Sequence, residues 1–230
     1  MMPFVQRRIS AKGPFREILA VAGLTLAMLA PMCVEAEQHF FNNPREMFLL
    51  PEYCKYTQDF RANVPGGNNP GEIQRWTTLM GPVFIHMHHY CYGLQAINRA
   101  TFLSPAPEDR RHNLGVSVIE FDYVIERAPQ DFGLLPEIFT KKGESLLQMD
   151  SVGKGIAELQ RAIDMKPDYW QAYAAASDYY KGAGQPAKAR EWVEKGLSVL
   201  PDKQPLLRRQ AELNAPRNKS ASNPQPSVRR

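Results

Sequence analysis

Strand signals are missing from this sequence: nowhere do apolar and polar residues alternate over a strand's length, while apolar positions recur at helical spacing. That excludes a sheet-based fold and predicts an all-α chain. Familiar catalytic patterns are missing as well. There is no Gly-rich phosphate loop, no nucleophile elbow and no two-His helical zinc-protease signature. The expectation is a chain that is not an enzyme and carries no cofactor. A charge excess in the body is the next absence. Of 28 Lys and Arg and 24 Asp and Glu, four basic and two acidic residues precede Glu37 and four basic ones follow Leu213, leaving 20 against 22 between them. Without a basic face, nucleic acid is not an expected partner.

Long apolar runs are scarce too. The uncharged stretch Ile18–Ala30 has 13 residues, short of the roughly 20 that span a bilayer. Arg7, Arg8, Lys12 and Arg16 precede it, and Val34-Glu35-Ala36 follows, with small residues at the two positions a signal peptidase reads. Residues 1–36 are therefore predicted to be a signal peptide cleaved near Ala36, delivering a periplasmic or secreted chain whose membrane association is at most peripheral. A lipid-bearing Cys33 is disfavoured by Pro31 and Met32. A twin-Arg route would use Arg7-Arg8, but Ser10 and Ala11 stand where larger apolar residues are preferred.

Three cysteines are few for 230 residues. Cys54 and Cys91 remain after cleavage, and in an oxidising compartment a lone pair of thiols tends to be joined. Two separate buried thiols are the alternative.

What is present is a repeat. A shift of 34 residues lays Gly155 on Ala189, Leu159 on Val193, Ala162 on Gly196 and Pro167 on Pro201. Upstream, Phe139 falls on Tyr173, Gly143 on Ser177 and Leu146 on Tyr180. Small residues recur where two helices must touch, large apolar ones where they interlock, and a Pro closes each unit. This resembles the tetratricopeptide repeat, a helix–turn–helix unit of about 34 residues, with aromatics in place of the family's first-helix Trp. The units fall at about 134–167 and 168–201. A longer, irregular unit at about 82–129 has Gly93 and Pro129 at the family's marks.

Around them the chain divides simply. Residues 37–81 read as an N-terminal helical segment, with Asn43-Pro44 and Asn69-Pro70 as helix starts and a mobile loop at 64–71. The repeat domain runs over 82–214. Gly81-Pro82 opens the expected longest helix, with Val83, Phe84, Met87, Tyr90, Cys91, Leu94 and Ile97 as one apolar stripe. Pro205–Asn214 reads as a capping helix, and 215–230 as a disordered basic tail.

Two surfaces are candidates for function. The resemblance implies an inner face lined by first helices, offering Glu137, Thr140, Glu144, Gln148, Gln171, Ala174, Asp178 and Lys181 to a protein partner. Thr140, Glu144 and Ala174 do not suit the family's mode of holding a C-terminal carboxylate. The implied role is an exported protein–protein adaptor or envelope-assembly factor. The alternative is periplasmic copper or zinc handling by His86, His88, His89 and Cys91, whose donors suit those metals. Helical geometry places His86 and His88 on either side of the stripe and His89 nearly away from the core.

Overall fold

The computed structural model describes residues 44–104 and 106–215. The expected signal peptide lies outside them, as do Asn43 and all of the expected tail but Ala215. Among the described residues every regular element is helical. Short 3-10 segments cover Pro44–Leu49 and Glu52–Tyr56, and α1 is a single turn, Phe60–Asn63. Residues 57–59 separate the last two.

Helix α2 (Pro70–Met80) starts as its sequence demands. The Asn69 side chain accepts from the amides of Gly71 at 3.0 Å and Glu72 at 3.2 Å, with Pro70 in the first turn. Gly81, at φ 66°, ends it in a conformation that favours glycine. The chain then runs as a 3-10 segment over Gly81–His86 before α3 (Met87–Phe102). Because those first turns are 3-10, the longest α-helix is instead α4 (Pro107–Arg127).

Three hairpins follow one another: α3 with α4, α5 (Leu135–Gln148) with α6 (Val152–Met165), and α7 (Trp170–Gly182) with α8 (Pro186–Val199). Helix α9 (Gln204–Asn214) packs on both α7 and α8. Of the positions that match under the 34-residue shift, those where helices touch are packing positions, while Pro167 and Pro201 are exposed. Leu159, Ala162, Ala189 and Val193 are all 0% exposed. A Cβ on Gly143 would meet Leu159 at 2.9 Å and the Gly155 carbonyl at 3.0 Å, so α5 and α6 touch through glycine. Gly196 makes the same close approach to Tyr173 and Leu206. In the first hairpin Gly93 is pressed against the Phe121 ring. Those glycines are where backbones need to meet.

The segment before α2 is fastened to α3 twice. Cys54 and Cys91 are disulfide-bonded, with Cα atoms 5.7 Å apart and both residues fully buried. Glu46, itself buried, bonds Gln95 and pairs with Arg99 at 3.0 Å. Gly67 in the expected mobile loop is buried, its backbone tight against Lys55 and Arg61.

Candidate functional site

The first helices α5 and α7, together with α9, lie side by side, and each also contacts the second helix of the unit before it. They form one layer of the array, and its free surface is the face expected to hold a partner. The eight residues assigned to that face do not all reach it. Thr140 (1% exposed) and Ala174 (4%) are interior. The Ala172, Ala174 and Ala176 side chains are too small to hold α7 away from its neighbours, so positions between the helices are buried. The Thr140 hydroxyl donates to the Pro136 carbonyl at 2.8 Å.

Asp178 and Lys181 are turned toward the capping helix. Arg209 grips Asp178 with two hydrogen bonds, 2.9 and 2.6 Å, and Lys181 pairs with Glu212. Helix α9 stands beside α7 as a further first helix would, and uses these residues to seat itself. Gln148 accepts from Arg110 at 2.8 Å, at the start of α4. That leaves Glu137, Glu144 and Gln171 of the original eight.

Glu137 has a partner in the first hairpin. The Tyr90 hydroxyl donates to Glu137 Oε1 at 2.6 Å. Burial first, and then the Glu137 charge, hold the Tyr90 phenol well above its ordinary range. Burial and the same charge raise Tyr53, and burial followed by Glu137 and Glu144 raises Tyr169. Of these phenols, Tyr90 is the one in hydrogen-bond contact with Glu137. Tyr53 and Tyr90 each precede a bonded cysteine. The repeated Tyr-Cys step was the available signal. Glu144 differs from Glu137 in carrying its own cation, Lys141 at 2.9 Å.

The histidine cluster is arranged differently from the helical-wheel expectation. His89 faces α4: its Nδ1 lies 2.6 Å from Glu120 Oε2, and its ring stacks on Tyr123 at 3.5 Å between centroids. His86 meets the edge of the same Tyr123 ring. His88 is buried, with Nδ1 2.9 Å from the Ile85 carbonyl and Nε2 3.9 Å from Asp59. Cys91 is in the disulfide and has no thiolate to offer a metal. Among the described residues no group of three or more His, Cys, Asp or Glu side chains is placed to hold a metal ion. In the copper or zinc alternative, of the residues His86, His88, His89 and Cys91, the rings meet Tyr123, Glu120 and a backbone carbonyl and the sulfur is in the disulfide.

No family model matches the chain. It is similar to the human Protein O-mannosyl-transferase TMTC1, 24% identical over 105 residues, which are 46% of this chain and 12% of that protein. The mouse protein of the same name is 23% identical over 112 residues, 49% of this chain and 12% of its own. The match thus spans about an eighth of either relative. Both bear the name of an enzyme, which corrects the expectation that this chain is not an enzyme. That expectation rested on missing motifs, and a motif search covers only the chemistries whose signatures it contains. No helix among the described residues is long and apolar enough to cross a membrane.

Proposed function

We propose that this chain is a tetratricopeptide-type array that holds a protein partner on the surface of its first helices. In this reading it is an exported adaptor or envelope-assembly factor. The observation that carries it is the layer made by α5, α7 and α9, with Glu137, Glu144 and Gln171 left on it once inter-helix positions are set aside. Stacked hairpins make an extended surface of this sort by their geometry alone. The 34-residue register and its buried small residues support the repeat type. The disulfide supports export, because such bonds persist in oxidising compartments. The relatives are named for acting on protein, and a stretch shared with them is suited to holding a polypeptide.

The test is site-specific photo-crosslinking in cells. A crosslinking residue at Gln171, on the first-helix layer, should give discrete protein adducts. One at Glu194, exposed on α8, should not. Equal adducts at both positions, or none at Gln171, would refute the proposal.

A further inference from the structure

We propose that a cavity outside the two regular units, where residues 56–61 meet α2 and the 3-10 segment Gly81–His86, binds a small free carboxylic acid with an apolar body. The site is separate from the first-helix layer and does not depend on it. The cavity holds about 630 Å3, within the roughly 300–1,000 Å3 usual for small-molecule sites. Its lining is mostly apolar, with Ile73, Phe84 and Ile85 among the walls. Phe84 is buried, whereas Ile85 is 59% exposed. A ligand's hydrocarbon would take that surface out of water.

Arg61 is the one charged residue of the lining. It is partly buried and makes no ion pair among the described residues. Acids of the neighbouring elements are engaged elsewhere. Asp59 accepts from the Tyr92 hydroxyl at 3.1 Å and lies 3.9 Å from His88, and Glu72 pairs with Arg75 at 3.0 Å. Gln58 also lines the cavity, and its side-chain amide has no protein partner among the described residues. The cavity thus offers one uncompensated positive charge and one amide beside apolar walls. A single cation balances a monoanion, and the planar fork of a guanidinium matches a carboxylate with two hydrogen bonds. A phosphate would find no second cation. The frame is held in place before any ligand arrives. The disulfide fastens the segment to α3, and a Cβ on Gly67 would come within 2.6 Å of the Arg61 Cα, so the backbone there is closely packed. Asn69 caps α2 on the opposite wall. In the complex the carboxylate accepts from Arg61 and Gln58, and the apolar body covers Ile73, Phe84 and Ile85.

The test uses the full chain, purified with its disulfide intact and with 13C-labelled isoleucine methyls. Phenylbutyrate, its uncharged amide and acetate are titrated in. Phenylbutyrate should move Ile73 and Ile85 saturably and leave Ile163, buried on α6, where it was. The amide should bind at least about tenfold more weakly, the scale of one charge-assisted hydrogen bond. Acetate, which has the charge without the body, should not saturate. Arg61→Gln should bring the acid down to the amide's affinity and leave the amide's as it was, while Arg61→Lys falls between. Ile85→Ser should weaken acid and amide alike. Neither residue is buried, and unchanged Ile163 resonances check that each variant is folded. Equal affinities for acid and amide, an acid affinity that Arg61→Gln leaves unchanged, or no saturable shift with millimolar acid overturns the site. Lys55→Gln, at a different cavity, should change nothing; a loss equal to that of Arg61→Gln would make the attraction one of general surface charge and overturn it too. Tighter binding of acetyl-Gly-Gly-Phe with a free carboxylate than of phenylbutyrate would make the occupant a polypeptide end and overturn the claim of a free acid.

Discussion

Changing Gly93 to Ala should destabilise this protein, and changing Gly115 to Ala in the facing helix should stabilise it. Both glycines lie inside helices at ordinary backbone angles, so both gain about 1 kcal/mol of helix propensity from a Cβ. What differs is the space. A Cβ on Gly115 meets nothing within 4 Å. On Gly93 it would be driven into Phe121, with Cδ1 at 2.7 Å and Cζ at 2.9 Å. Phe121 has nowhere to retreat: it is 0% exposed and packs on Tyr90 at 5.7 Å between centroids. Overpacking of that severity belongs at the upper end of about 1–3 kcal/mol. The net loss for Gly93→Ala is then about 2 kcal/mol, which in a domain of this size lowers Tm by roughly 4–8 °C. Gly115→Ala should raise Tm by about 2 °C on the same scale. Calorimetry of the two variants reads the comparison directly. A rise for both would mean that α3 and α4 do not touch at Gly93, and the first hairpin would lose its claim to repeat-like packing.

Two further outcomes are expected. Replacing Cys54 and Cys91 together by Ser reopens a 37-residue separation, which should cost about 3–4 kcal/mol in the chain-entropy account. Amide exchange should then accelerate over residues 44–63 before it does over 134–201, and uniform acceleration would contradict the segment's separate fastening. For pH, burial first lowers His86 and His88 below the ordinary histidine value, with Arg127 and His89 adding to the effect. The folded state therefore resists protonating them. Their contribution is intact above the unfolded pKa of about 6.5 and is lost as pH falls through the lower folded values. Tm should drop between pH 7.5 and 5.5 in the parent and drop less in His88→Gln; identical slopes would remove His88 from the effect.

How legible this was in the sequence depended on distance along the chain. Within 34 residues the register could be read, because Leu159, Ala162, Val193 and Gly196 are fixed by contacts between adjacent helices. The Asn69 cap was legible for the same reason: its partners are two and three residues away. Across helices the reading failed in specific ways. His89 was placed away from the core by assuming that α3 buries one stripe, but α3 is covered by α4 on one side and by the N-terminal segment on another. That is why Gln95 and His88 are buried with Met87 and Tyr90. Thr140 and Ala174 were placed on the surface by register alone, which carries no information about how closely alanines let α7 approach.

The residues that matter most at the candidate site show where such information does reside. Tyr90 donates to Glu137 one residue before Cys91, whose bond to Cys54 fastens the N-terminal segment to α3. The surroundings of Glu137 are thus not a property of the two regular units alone. The segment before α2 is held against α3 by the disulfide and by Glu46 on Arg99. A regular array offers each of its units the same generic surface. Specificity needs something that breaks the regularity at one place, and in the proposed reading the non-repeat segment clamped against α3 is such a break.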